Sequence, residues 1–500
     1  MKKGSDVIRN QLVFLRNGKR VETSQVDANE TLLDYLRLRE RACGTKEGCN
    51  EGDCGACTVS LGSVRDGRLV YEPVNACIRL LGTVDGCDVV TVDDLAIPDQ
   101  KGGEELHPVQ QAMVEHHGSQ CGFCTPGFVM TLFTLYHAGV KPDRQTVNDW
   151  IAGNLCRCTG YRPIADAALA SISGKAEDAL AKRRARTVTA LAEMQDGEDI
   201  FIGTKTRFFA APASIASLAA LCAKNPDATI VSGATDVGLW ITKQMRDLPK
   251  IIFTGRAVGF DEVNIGKDKV RIGAGATYAQ AWDALAGIDP DVGEVLRRIG
   301  SRQVRASGTV GGNVANGSPI GDTPPMLIAL DAELELTKGA KTRTMAIEKF
   351  FIAYGKQDRA PGELVSALSV PRLKKNQHFR AYKISKRFDQ DISAVMAAFR
   401  LTVEKGKVTE ARIAFGGMAA TPKRASNAEE ALLGARLDDE AVWAKAVEAM
   451  AQDYTPLTDM RASAAYRLKV AQNLLMKALH EIASGNDAQS RLVGIREAAQ

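Results

Sequence analysis

Ten of the eleven cysteines in this 500-residue chain fall before residue 160, at short fixed spacings, and only Cys222 lies beyond. A secreted disulfide scaffold spreads its cysteines through a small chain. Tight clusters with no apolar leader behind MKKGSDVIRN point to metal binding in a reducing compartment, so a cytoplasmic protein is expected. At 500 residues the chain needs three or four domains. A net charge of +4 is too weak to indicate nucleic acid, and no run is apolar enough to span a membrane.

The first set reads CGTKEGCNEGDCGACTV, then NAC. Cys49, Cys54, Cys57 and Cys77 fit C-x4-C-x2-C…C, the spacing of plant-type [2Fe–2S] ferredoxins. A loop that wraps a cluster must turn sharply, and Gly44, Gly48, Gly52 and Gly55 permit it while letting N–H groups reach sulfur. A zinc site or free buried thiols are the alternatives; zinc usually takes two C-x2-C knuckles, and one is present. Cys43 and Cys87 are left over and read as small buried hydrophobes.

The second set is Cys121, Cys124, Cys156 and Cys158, a C-x2-C and a C-x-C separated by helical sequence. Thr125 is expected to cap the following helix with Pro126 at its first position, aiming the positive end of the helix at the thiolates. On spacing alone zinc stays open here.

Local patterns place these motifs. Residues 10–22 predict a hairpin around Asn17-Gly18, and Thr31–Leu38 a short helix capped by Thr31 or Asn29. A strand follows at Cys57–Leu61, and VQQAMVEHH, PGFVMTLFTLY and TVNDWIAGNL predict helices. Residues 172–200 read as a solvated linker, with Lys182, Arg183 and Arg184 as a plain charge run. Strands and helices alternate from Phe208 onward, and a further unit starts near Phe379. In its last helix Leu468, Ala471, Leu475 and Leu479 share a core face. His107, His116 and His117 read as surface or capping residues, and Trp150 and Trp240 as core.

No G-x-G-x-x-G follows a strand. The Gly-rich stretches are IVSGATDVG, RIGAGAT and GTVGGNVANGSPIGD, and the backbone of Gly311 and Gly312 is placed to donate N–H groups to a pyrophosphate. Ordinary turns of an α/β domain are the alternative.

The strings HPVQQAM, HHGSQCGFCTPGFVM, NLCRCTGYRPI and GTKEGCNEGDCGACTV resemble the two cluster domains of the molybdenum hydroxylases, the xanthine dehydrogenase and aldehyde oxidase family. The resemblance implies an α+β multidomain chain: a β-grasp plant-type ferredoxin domain (1–93), an all-α helical [2Fe–2S] domain (94–170), a linker (171–202), an α/β FAD domain of the vanillyl-alcohol-oxidase type (203–377) and a small α+β C-terminal flavoprotein domain (378–490). It implies two [2Fe–2S] clusters on the eight named cysteines. It implies FAD contacts at Ile230, Val231, Ser232, Gly233, Ala234, Thr235, Asp236 and Val237, and at Thr309, Val310, Gly311, Gly312, Asn313, Asp322, Val365 and Lys383. Lys383 would supply a cation near the flavin, and Ile299 stands where animal members carry a phenylalanine against the ring. Gln120 matches a glutamine that faces the molybdenum cofactor of a neighbouring domain.

The hydroxylation chemistry of the family needs a molybdenum domain of several hundred residues, which this chain does not contain. The resemblance therefore implies the small subunit of a xanthine dehydrogenase, with a large molybdenum-cofactor partner in a heterotetramer of two small and two large chains and with no catalytic residue for hydroxylation in this chain. Electrons would run from the partner to the helical-domain cluster, the ferredoxin-like cluster, FAD and NAD+. A small subunit acting on an aldehyde or N-heteroaromatic substrate, or a stand-alone electron carrier, are the other expectations.

Overall fold

The computed structural model describes residues 8–98, 103–485 and 490. They form two compact units: the described residues up to 259 with 300–308, and 260–299 with the described residues from 309 onward. The fold is α+β throughout, and no helix among the described residues is long and apolar enough to cross a membrane.

The first unit opens with the expected hairpin, Leu12–Arg16 paired antiparallel with Lys19–Thr23. Asn17 and Gly18 both have positive φ, 50° and 74°, as a two-residue hairpin turn of primed type requires. The five-stranded sheet runs Lys19–Thr23, Leu12–Arg16, Asp88–Val90, Thr58–Arg65, Arg68–Asn75, with Leu12–Arg16 and Asp88–Val90 parallel. Side chains alternate faces along a strand. Leu12 and Phe14 therefore enter one core with Leu32, Leu36 and Val59, while Val13 and Leu15 enter another with the helices beyond. Thr31 caps the short helix Leu32–Asp34, as expected.

Helices Pro108–Glu115, Thr125–His137, Arg144–Ile151 and Arg162–Ser171 build the next layer. Thr125–His137 is buried from Gly127 to Tyr136, so it is apolar on all sides, as a helix at the centre of a bundle must be. Phe128 and Phe133 are fully buried there, each stabilising by about 1.5–3 kcal/mol.

Residues 172–200 are no solvated linker. They form helices Ala179–Lys182 and Arg184–Glu193, and Leu180, Leu191 and Met194 are buried in the core shared with helix Thr125–His137. Arg183 is not idle either: its guanidinium donates to Asn17 Oδ1 and lies 4.0 Å from the buried Asp88. The few apolar residues among Ala and Arg are too sparse to announce a face, and tertiary packing decides.

A second five-stranded sheet of this unit runs Ile8–Arg9, Asp199–Gly203, Phe208–Ala211, Lys250–Phe253, Thr229–Val231. Asp85 fastens its surroundings: Arg9 Nη2 is 2.7 Å away, Arg256 also pairs with it, and Val13 N–H donates to its other oxygen.

The second unit holds an antiparallel sheet, Val263–Ile265, Lys269–Gly273, Leu364–Pro371, Glu333–Lys338, Lys341–Ala346. A four-stranded sheet of this unit, Gln377–Ile384, Val395–Glu404, Lys407–Gly416, Lys423–Arg424, packs under helices Ser426–Leu432, Glu440–Asp453 and, last, Ala464–Ala483. Ala471, Leu475 and Leu479 of that helix are buried in this core with Leu468 packed against it, as expected.

Candidate cluster and flavin sites

The loop before strand Thr58–Arg65 turns through positive φ at Asn50, Gly52 and Gly55. A Cβ at Gly48 would sit 2.8 Å from Cys54 Sγ, and one at Gly55 would sit 2.2 Å from the carbonyl oxygen of Gly153. Glycine thus admits sulfur at one point and a second backbone at the other. Cys49 N–H donates to Cys54 Sγ at 3.3 Å, Cys54 N–H donates to Cys49 Sγ at 3.3 Å, and Glu51 N–H adds a third at 3.4 Å. The four thiols meet: hydrogen bonds from Cys54 and Cys77 hold Cys49 well below the thiol range, and Cys49 and Cys57 with burial push Cys77 far above it. Four converging sulfurs ringed by N–H donors fit an anionic iron–sulfur cluster. Cys43 stands apart and is exposed, and Cys87 is half-buried, so neither is the buried hydrophobe expected. Arg41, two residues before Cys43, holds a positive φ of 59°.

In the helical set Cys124, not Thr125, is the N-cap of helix Thr125–His137, and Thr125 Oγ1 instead meets Ser119 Oγ at 2.7 Å. The helix start still lies at the cysteine pair, where its positive end favours thiolate. Cys158 and Thr159 N–H groups each donate to Cys156 Sγ at 3.4 Å, and Cys156 N–H donates to Tyr161 Oη at 3.1 Å. Tyr161 adopts φ 68° to reach it. The thiols meet as Cys121 with Cys158 and Cys124 with Cys156; burial, then Cys156, pushes Cys124 up to about 12. Cys121, Cys158 and Gln120 are exposed. The two loops touch: Leu155 N–H donates to the carbonyl of Cys54.

The residues expected at FAD fall into both units. In the first, Ile230 and Val231 end strand Thr229–Val231 and Val237 begins helix Val237–Thr242. Between them Ala234 holds φ 58°, and a Cβ at Gly233 would lie 2.0 Å from the Ser307 carbonyl oxygen. The N–H groups of Gly233, Ala234 and Thr235 have no hydrogen-bond partner among the described residues. A tight turn with unspent N–H donors suits phosphate oxygens.

In the second unit Thr309 caps helix Val310–Asn316 through Gly312 N–H at 3.0 Å. Val310 N–H donates to Ala276 and Gly311 N–H to Ala274. The N–H groups of Gly311 and Gly312 are therefore spent within the protein and do not await a pyrophosphate. Gly311 is required because a Cβ would lie 2.4 Å from that of Ala274. Asn313 Oδ1 is buried with no partner among the described residues, a polar atom that a ligand donor would satisfy. Lys383 is no bare cation: its Nζ lies 2.5 Å from Asp322 Oδ2, and Ser393 donates to the other oxygen. Val365 is buried in the sheet and Ile299 is half-buried.

His107 does cap its helix, accepting from Val109 N–H through Nδ1 at 3.2 Å. Its Nε2 then carries the proton and donates to Asp178 Oδ2 at 2.9 Å, which leaves that nitrogen no lone pair for a metal. His137 Nε2 lies 2.8 Å from the same oxygen. Trp150 and Trp240 pack against the hydrophobic cores as expected, half-buried, each under a guanidinium, of Arg302 and Arg246 respectively.

Four family descriptions match the chain: "2Fe-2S iron-sulfur cluster binding domain" at residues 14–79, "[2Fe-2S] binding domain" at 91–169, "FAD binding domain in molybdopterin dehydrogenase" at 204–373 and "CO dehydrogenase flavoprotein C-terminal domain" at 380–482. Xanthine dehydrogenase of Emericella nidulans is 30% identical over 95% of this chain, and xanthine dehydrogenase/oxidase of Mus musculus 31% over 82%. The chain spans 39% and 34% of the length of these two relatives. Among solved structures, a chain of the reconstituted CO dehydrogenase of Oligotropha carboxidovorans is 28% identical, with a TM-score of 0.52 over 55% of this chain and 96% of that one.

Proposed function

As the chain belongs to the molybdenum hydroxylase family and carries its two iron–sulfur domains and its FAD domain, we propose that it is the electron-transfer subunit of a xanthine dehydrogenase. In this reading Cys49, Cys54, Cys57 and Cys77 hold one [2Fe–2S] cluster, and Cys121, Cys124, Cys156 and Cys158 hold the other. The turn at 232–236, Asn313 and the Lys383–Asp322 pair serve FAD, a separate large chain holds the molybdenum cofactor, and NAD+ is the acceptor. The four domains expected at 1–93, 94–170, 203–377 and 378–490 belong to the same reading, without the linker between the second and the third. When bound, the clusters carry single electrons and the flavin trades them for a pair.

The observation that carries this reading is the meeting of all eight thiols in two sets whose loops share a hydrogen bond. The chain's part is structural: N–H groups temper charge on sulfur, and buried packing fixes the spacing. Cysteines clustered at ligand spacings suit a reducing cytoplasm. Xanthine as substrate is supported by the names of the relatives at about 30% identity. A related hydroxylase with a different substrate is the second reading, favoured by the CO dehydrogenase likeness over 55% of the chain and by the CO dehydrogenase flavoprotein match at 380–482.

Of Lys386 and Arg387, the better candidate cation for NAD+ is Lys386: among the described residues its Nζ donates to the Met460 carbonyl and meets no carboxylate, whereas Arg387 is paired with Asp391. The test is purification of the native chain with its partner. A large molybdenum-containing chain and faster xanthine oxidation with NAD+ than with oxygen are expected, and Lys386→Glu should raise KM for NAD+. A partner without molybdenum overturns the hydroxylase reading, and inertness toward xanthine overturns the substrate.

A further inference from the structure

Residues 300–308 leave the second unit and pack within the first. Their short helix, Arg302–Ser307, carries Gln303, which is 1% exposed. Its Nε2 lies 3.2 Å from Thr58 Oγ1, 3.1 Å from Thr131 Oγ1 and 3.1 Å from Asn154 Oδ1. Each of these partners is buried, and each belongs to a different element of the cysteine sites. Thr58 follows Cys57 directly. Thr131 lies on the helix whose N-cap is Cys124. Asn154 stands two residues before Cys156 and adjoins Leu155.

The partners also bind one another. Thr131 Oγ1 donates to Asn154 Oδ1 at 2.7 Å, Asn154 Nδ2 donates to the Gly55 carbonyl at 3.0 Å, and Thr58 Oγ1 donates to that carbonyl at 2.7 Å. Space is reserved for the amide: a Cβ at Gly153 would sit 2.0 Å from Gln303 Oε1. The neighbouring Arg302 is seated over the ring of Trp150 at 4.5 Å, which holds the helix in place.

From this junction we infer that Gln303 is a positioning residue that sets the spacing of the two cysteine sites, holding the 153–156 loop against the 54–58 loop. The inference rests on the two-cluster reading above. The loss of this buried amide is felt at several places, because its two N–H hydrogens serve three buried oxygens within reach, and removing them takes a donor from at least two of these. The spacing of two one-electron carriers sets the interaction between them, so this amide governs the link without touching either site.

The test uses the full chain loaded with iron. Wild type must first show two reduced-state EPR signals, mutually split by spin–spin interaction; without two clusters the two-cluster reading fails, and this inference with it. Gln303→Met keeps the length and removes the donors. It should keep both signals and the iron content, lose or change the splitting, and lose hydrogen-exchange protection at the Leu155 amide. Leu191→Ala, which destabilises the same unit from a distant helix, should leave both readouts as in wild type. If Gln303→Met does not fold, Thr131→Val, which deletes the hydroxyl between Gln303 and Asn154, gives the same reading. Unchanged splitting and unchanged Leu155 protection in a folded, iron-loaded variant overturn the inference.

Discussion

The amide of Leu155 donates to the carbonyl of Cys54 at 2.9 Å. Leu155 precedes Cys156 in the chain, so a single hydrogen bond joins the backbone of a thiol residue in one set to that beside a thiol in the other. The neighbours enforce the contact, since Gly55 has no Cβ to strike the Gly153 carbonyl and Gly127 none to strike Gly55 itself. Glycine makes the close approach of the two backbones possible, and the buried amide of Gln303 spans the loops that meet there.

Iron content tests the eight ligands. The loaded chain should hold about four iron atoms in two clusters, and Cys156→Ser should bring this to about two while one EPR signal persists. Zinc bound at the helical set, with half the iron, would remove that cluster from the account.

Asp178 predicts a pH dependence. Its burial acts to raise its pKa, but the hydrogen bonds from His107 and His137 outweigh that and hold it well below the usual carboxylate range. A lowered folded-state value means stabilisation that is complete above the unfolded value of about 3.9 and is lost as the pH falls toward the folded one. Asp178→Asn should therefore lower Tm at neutral pH, with the gap closing below about pH 4. A gap independent of pH down to acid would contradict this.

The pair Lys383–Asp322 should be worth keeping or deleting only as a whole. Lys383→Met strands a buried carboxylate and should cost about 3–5 kcal/mol, whereas the double variant with Asp322→Leu should recover most of it. Denaturant midpoints of the single and double variants measure the coupling, and additive losses would show that the two charges act independently.

Asp85→Ala should be among the most damaging changes in the first unit. It takes the buried carboxylate from between the guanidinium groups of Arg9 and Arg256, only 9% and 11% exposed, leaving them the more exposed Asp196, and it strips Val13 N–H of its acceptor. The expected cost is about 3–5 kcal/mol, read as a lower urea midpoint at unchanged slope.

What the sequence disclosed follows from how local each signal is. The Asn17-Gly18 turn and the Thr31 cap are set by a few adjacent residues and stand as read. The cysteine groupings were legible because their spacing is itself the geometry of a loop. Arg183, Leu180 and Leu191 misled because their partners lie far off in sequence, and an Ala- and Arg-rich stretch has no visible face until the core it joins is known. The role of Gly311 also turned on a distant residue, Ala274. Gln303 gave no sequence signal at all: a lone glutamine in SRQVRAS looks like any polar residue on a helix, and only its three buried partners reveal it.

Strand Ile8–Arg9 pairs in parallel with Asp199 and Ile200, so nearly two hundred residues of cluster-bearing chain form an insertion whose two ends are neighbours in one sheet. Such a pairing closes late in folding, after the inserted module has drawn its ends together. It also outlasts the continuity of the backbone. A protease nick within 172–198 would cut the chain yet leave both fragments joined through the sheet, the Asp85 charges and the common core. The fragments would part only under denaturant, and freeing either one would expose an unpaired strand edge that invites aggregation.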